Sequence, residues 1–284
     1  MVERRITLSD IIELDYEGVA ASLTEFTRSI LDRANADGVV VGVSGGVDSA
    51  TVLALMVKSL GRDRVLALLM PDSAVTPPED IKDALELVER FDVPYKTIDI
   101  RPIVDSYLAA AGETPDRKSL GNLRARIRMS LLYLYANMEN RLVAGTGDRS
   151  EILIGYFTKY GDGAVDFLPI GCLYKSQVRM LARHLGVPER IAKKPSSPRL
   201  WPGQLAETEI GIPYEEVDLI LYGLFDLGLS PDEVVDATGV EPWKVERVLE
   251  LHRASEHKRQ PPPAPSPREH VWRYRRRSLE EGQG

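Results

Sequence analysis

The stretch VVVGVSGGVDSATVLALMVKSL, residues 39–60, decides the fold. Residues 39–43 are apolar or glycine, the composition of a strand buried on both faces. Residues 48–60 suit a buried helix. The six residues SGGVDS that straddle the junction (Ser44, Gly45, Gly46, Val47, Asp48 and Ser49) form a tight strand-to-helix turn. Adjacent glycines let backbone N–H groups approach a phosphate closely. The helix N-terminus adds its positive dipole end, and Ser44 and Ser49 add hydroxyl donors. Asp48 alone would repel a phosphate, but Mg2+ bound between carboxylate and phosphate oxygens removes the conflict, so the acid implies the metal. The turn matches neither GxxxxGK[ST] nor GxGxxG. The bland alternative is a Ser/Gly turn that only caps a helix.

Outward from this turn, strand-like and helical segments alternate. Strands are predicted at 65–70, 95–98 and 142–144, and helices at 79–91 and 119–138. Such alternation gives an α/β fold, a parallel sheet flanked by helices, whose ligands sit beyond the carboxyl ends of the strands. Helical spacing also covers 9–34 ahead of the first strand, and 148–156, 175–185, 214–227, 231–237 and 242–255 after the last. On the 119–138 helix, Leu120, Leu123, Ile127, Leu131, Leu134 and Met138 form one apolar stripe. Asn122 and Arg126, four apart, share another face and can act on one ligand. Regular structure ends at PPPAPSP, which divides a single domain at 1–260 from a Pro/Arg-rich tail at 261–284.

Composition narrows the function. The 284 residues contain one cysteine, Cys172, and four scattered histidines, so neither a CxxC pair nor a zinc-type cluster is available. A net charge of −7 argues against a nucleic-acid footprint, although Arg268, Arg273, Arg275, Arg276 and Arg277 make the tail locally basic. No apolar run is long enough to span a bilayer, and the N-terminus has no signal-peptide core, which implies a cytoplasmic protein without membrane contact.

SGGVDS resembles the pyrophosphate loop of adenylate-forming ATP pyrophosphatases. Three further blocks narrow the resemblance to NAD synthetases: GNLRARIRM at 121–129; GTGDRSEILIGYFTKYGDGAVDFLPI at 145–170 with LYKSQ at 173–177; and EHKRQPPP at 256–263. The resemblance implies a Rossmann-like fold of the adenine nucleotide alpha hydrolase type, and ammonia-dependent amidation of deamido-NAD through an adenylate, releasing AMP and pyrophosphate. It assigns ATP contacts to Gly42, Val43, the SGGVDS residues, Thr146, Lys175 and Ser197, and Mg2+ to Asp48 and Glu151. Asp48, Glu151 and Lys175 are the catalytic set. Deamido-NAD falls to Asn122, Arg126, Lys159, Asp166, His257 and Lys258. It further implies a homodimer with the dinucleotide site at the interface, and a supply of free ammonia or of ammonia from a separate glutaminase.

The chemistry of these residue types agrees. Two carboxylates from separate segments suit a hard cation bridging phosphates, a lysine adds a point charge, and an arginine fork suits a dinucleotide phosphate. An acyl-adenylate must be kept from water, so the Pro/Ser/Gly-rich segment 194–210 is expected to be a lid. The sequence departs from the family there: PSSPRLW stands where relatives commonly read PPSAGLW, changing Ser196, Pro198 and Arg199, and Ala206 replaces a usual aspartate. Cys172 is expected to pack rather than react. Rival readings are another adenylate-forming enzyme, such as a tRNA thiolase, and a nucleotide-binding relative without turnover. A single cysteine and an acidic chain weigh against the first, and retention of Asp48 and Glu151 against the second.

Overall fold

The computed structural model describes residues 5–266; the tail arginines lie outside them. Four strands form one parallel sheet: β1 (Gly38–Gly42), β2 (Val65–Leu69), β3 (Tyr95–Thr97) and β4 (Arg141–Val143), in the order β3-β2-β1-β4. The chain builds outward from β1 through β2 to β3, then returns to the other side of β1. This reversal makes the crevice beyond β1 and β4 the switch point where such sheets bind ligands. The register pairs Val39 with Val65 and Val41 with Ala67 on one face, and Val40 with Leu66 on the other.

The helices are α1 (Leu8–Ile12), α2 (Tyr16–Ala34), α3 (Val47–Leu60), α4 (Pro78–Arg90), α5 (Arg101–Ala111), α6 (Arg117–Met138) and α7 (Arg149–Ile154). After these come α8 (Lys175–His184), α9 (Glu189–Ala192), α10 (Ala206–Ile210), α11 (Tyr214–Leu221), α12 (Pro231–Thr238), α13 (Pro242–Ala254) and α14 (Glu256–Arg259). Val39, Val41, Val65, Ala67 and Leu69 pack on one side with α2, α3 and α8, whereas Val40, Leu66 and Leu68 pack on the other with α5 and α6. Both faces are therefore covered, as the run of valines requires. A separate cluster joins α7, α11, α12 and α13.

Several boundaries differ from the sequence reading. Helix α5 was not foreseen, nor were α9 and α10, and α10 lies inside the segment read as a lid loop. The helix expected over 214–227 stops at Leu221 and continues as a π turn over Tyr222–Asp226. The stripe on α6 does not stay in the core: Ile127 is buried, but Leu134 and Met138 are 51% and 68% exposed. The reason is length, because a helix of 22 residues runs about 33 Å past strands of only three to five residues.

Candidate active site

The pyrophosphate-type turn leaves β1 beneath a cavity of about 890 Å³. Val43 N–H still donates to Leu68 O at 2.9 Å, so the turn begins only where the ladder ends. The Ser49 hydroxyl donates to Gly46 O at 3.1 Å and lies 3.1 Å from the Ser44 hydroxyl, which in turn accepts from Gly46 N–H at 3.3 Å. Gly45 adopts φ +79°, and a Cβ there would meet Asp80 O at 2.4 Å, so only glycine fits. Helix α3 starts at Gly46 with no side-chain cap. Its first amides are therefore available to an anion.

Facing this turn, three carboxylates converge on one ammonium. The Lys175 Nζ lies 2.7 Å from Asp48 Oδ1, 2.7 Å from Asp148 Oδ2 and 2.9 Å from Glu151 Oε1. Lys175 and Asp148 are fully buried. Burial pushes the Asp148 carboxyl up and the Glu151 carboxyl well above the usual carboxylate range, while Lys175 draws both back down. The three carboxylates hold Lys175 well above the usual lysine range, despite burial. The Lys175 ammonium also lies 5.1 Å from the centre of the buried Tyr214 ring.

This arrangement refines two expectations. Lys175 was expected to reach ATP phosphates, but here its charge is held by acids because three of them surround it. Asp148 was missed. It caps α7 by accepting from Glu151 N–H at 2.8 Å through Oδ1, which leaves Oδ2 turned toward Lys175 and Asp48. The signal was present as the D-x-x-E capping box of DRSE, residues 148–151. The set also fits a hard divalent cation. One oxygen from each of Asp48, Asp148 and Glu151 lies within 4.8 Å of the others, and Asp48 Oδ1 and Asp148 Oδ2, although close to Lys175, are not aligned for any hydrogen bond.

Behind Lys175, the buried Asp218 carboxylate accepts from the Ser150 hydroxyl at 2.5 Å and from Ser176 N–H at 2.8 Å, while Ser150 accepts from Lys175 N–H at 2.9 Å. This bracket fixes α7, α8 and α11 together and so sets where Glu151 and Lys175 stand.

The remaining predicted residues divide into two groups. Thr146, Asn122, Ser197, His257 and Lys258 line the cavity. Asn122 accepts from the Thr158 hydroxyl at 2.8 Å. Lys258 donates to Gly155 O and Phe157 O at 2.7 and 2.6 Å, and Ser197 donates to Gln204 O at 2.6 Å within the lid. Arg126, Lys159 and Asp166 lie outside the cavity lining. Arg126 is exposed and reaches Lys159 O at 3.3 Å; Lys159 donates to His257 O at 2.6 Å. Asp166 accepts from Val143 N–H at 2.7 Å and from the Tyr133 hydroxyl at 3.1 Å. Asn122 and Arg126 thus do not face one pocket in this chain.

The first half of the lid is held down by ion pairs and a hydrogen bond. Lys194 pairs with Asp80 and Asp83 at 2.6 and 2.5 Å, Arg199 pairs with Asp80 at 2.7 Å, and Leu200 O accepts from Arg124 at 2.9 Å. Arg199 adopts φ +50°, in the left-handed region that favours the glycine usual at this point of the family pattern. Its ion pair with Asp80 gives this departure a structural purpose. Cys172 does not pack as expected but is exposed, because it lies in the loop before α8; desolvation of the thiol raises its pKa, the opposite of an activated nucleophile.

Residues 19–262 match the NAD synthase family. The chain belongs to that family. It is 71% identical over 273 residues to the NH(3)-dependent NAD(+) synthetase of Hyperthermus butylicus, across 96% of this chain and 99% of that protein. Its fold is similar to a solved NMN synthetase from Francisella tularensis, with 35% identity, a TM-score of 0.78, and coverage of 89% of this chain and 99% of that one. It is also similar to an NH3-dependent NAD synthetase from Campylobacter jejuni, at 33% identity and a TM-score of 0.75, covering 89% of this chain and all of that one. As an NAD synthase family member, the chain presents SGGVDS at the switch point of its sheet, with the acid–lysine cluster at the same cavity.

Proposed function

We propose that this chain makes NAD from deamido-NAD: the nicotinate carboxylate attacks the α-phosphorus of ATP, pyrophosphate leaves, and ammonia displaces AMP from the acyl-adenylate. The observation that carries this reading is the convergence of the uncapped α3 N-terminus with Asp48 and Glu151 on one cavity, backed by the buried Asp148 and Lys175, in a chain of this family. Asp48, Glu151 and Asp148 would hold Mg2+, which neutralises charge growing on the leaving pyrophosphate. The α3 amides and the Ser44 and Ser49 hydroxyls hold phosphate oxygens, and the latched lid excludes water from the adenylate. No protein nucleophile is required, so Cys172 is a bystander. Purified protein supplied with ATP, Mg2+, ammonium and deamido-NAD should form AMP, pyrophosphate and NAD in equal amounts. Absence of NAD under these conditions would overturn the reading.

The likeness to an NMN synthetase favours a second reading, in which the acceptor is the mononucleotide. Supplying the mononucleotide acid in place of deamido-NAD separates the two, and the dinucleotide is expected to give the higher kcat/KM. Arg126, Lys159 and Asp166 stand outside the cavity, where the second nucleotide of a longer acceptor needs partners.

That placement also supports a homodimer. Three of the proposed dinucleotide contacts lie outside the cavity of one protomer, and Leu134 and Met138 on α6 stand in solvent. If a partner completes the site, substrate binding and dimerisation are thermodynamically linked. Leu134→Glu should then shift the protein toward monomer in sedimentation equilibrium. It should raise KM for deamido-NAD about tenfold, against a coupling range of roughly 5–150-fold, with little change in ATP affinity. A fully active monomer at assay concentration would refute this. Among the described residues no helix is long and apolar enough to cross a membrane; the proposed setting is cytoplasmic, with ammonia drawn from solution or from a separate glutaminase.

A further inference from the structure

Arg128 is a cation that the proposed assignments leave unused. It lies on α6 between Asn122 and Leu132 and lines the same cavity. Its Nε donates to Met70 O at 2.9 Å, just past the carboxyl end of β2. No other protein partner among the described residues takes the rest of the fork. Among the described residues no carboxylate oxygen comes within the 4.0 Å of an ion pair with it. Asp72, the acid with the largest pull on Arg128, is committed elsewhere: Oδ2 accepts from Arg124 Nε at 2.6 Å and Oδ1 from Ala74 N–H at 3.0 Å. The positive charge of Arg124 beside it makes matters worse rather than better. Arg128 is half-buried, and desolvation of its guanidinium pulls the pKa down to about 10, with the pull of Asp72 and Asp162 too weak to offset the loss of water.

A half-buried cation with one neutral partner loses part of its hydration without an ion pair in return, and a glutamine or methionine would fill this space at lower cost. A guanidinium carries five N–H donors, of which one is engaged by protein here, so the fork is open toward the cavity. The alternative, that Arg128 serves only to tether α6 to the end of β2, uses one of its five donors and leaves the charge without a role.

We propose that Arg128 binds a negatively charged oxygen group of a bound substrate, a phosphate of ATP or the acidic side of deamido-NAD, at the carboxyl end of β2. It is a positioning residue for the reaction: by gripping an oxyanion opposite the α3 N-terminus, it fixes one reactant while the SGGVDS turn fixes pyrophosphate. The inference rests on the synthetase reading above.

The test is Arg128→Met, which keeps the side chain's length and removes charge and donors, with Arg128→Lys as the variant that keeps charge but loses the planar fork. Calorimetric titration of each protein with a non-hydrolysable ATP analogue and, separately, with deamido-NAD reads the two sources independently. Arg128→Met should weaken one of them by about tenfold to a hundredfold, leave the other within about threefold, and keep or raise the melting temperature, since a half-buried charge without an ion pair is gone. Arg128→Lys should fall between. Loss confined to the ATP analogue identifies a phosphate as the ligand; loss confined to deamido-NAD identifies the acid substrate. A lowered melting temperature with both titrations unchanged, or equally weakened, would show a tether and overturn the proposal. Wild-type protein that binds neither ligand would overturn the synthetase reading and this inference together, whereas wild type that binds both, matched by Arg128→Met, overturns this inference alone.

Discussion

Asp48→Asn protein should fold normally and lose ATP-dependent adenylation by about 10²–10³-fold, the loss typical when one stabilising group for transition-state charge is removed. The substitution keeps shape and removes charge. Stability should survive because Lys175 retains two partners, the buried Asp148 at 2.7 Å and the partly exposed Glu151 at 2.9 Å. Asp48 is also the most accessible of the three acids, with its side chain 20% exposed, so its neutral form is easily hydrated. What disappears is one of three hard oxygens able to hold a divalent cation beside the α3 amides. Pyrophosphate release with saturating ATP and deamido-NAD measures the loss, and Mn2+ titration with a non-hydrolysable ATP analogue bound measures cation affinity in the absence of turnover. Turnover within about threefold of wild type, with cation affinity unchanged, would remove Asp48 from the mechanism.

The site was legible in the sequence wherever chemistry and backbone coincide locally. VVVGV could only be a strand covered on both sides, and Gly45 sits at the sharp turn where a Cβ would strike Asp80 O. Pairings between distant segments were not legible. Nothing in LYKSQ says that Lys175 will meet three acids, because two of them arrive on α7 and one on α3. The lid looked like loose chain from its prolines and serines, yet Lys194 and Arg199 fasten it to α4 through Asp80 and Asp83. Helix α5 was hidden for a local reason: Pro102 at its second position reads as punctuation, although proline is well suited to a first helical turn where the N–H has no partner. The π turn after Leu221 adds a residue to one turn of a continuing helix, a change of period too small for apolar spacing to reveal.

Lys175→Met is expected to cost about 3–5 kcal/mol of stability, the usual result of stripping the partner from buried charge, and to lower Tm by roughly 5–15 °C in a chain of this size. Lys175 is completely buried, and its ammonium is the counter-ion to Asp48, Asp148 and Glu151. Without it three carboxylates face one another within 4.8 Å. The same removal leaves the oxygens arranged for a divalent cation, so the variant should regain stability from Mg2+ in a way wild type does not. Ligand at about a hundred times its dissociation constant returns about 2.7 kcal/mol. Thermal melts of both proteins across a Mg2+ series therefore give two readings. Wild type should shift little, because its lysine already supplies the charge in the resting site; Lys175→Met should climb steeply with Mg2+. A variant whose Tm equals that of wild type without Mg2+ would mean that the three acids carry no net charge to balance. One that melts early and ignores Mg2+ would mean that the cluster holds a lysine and no metal.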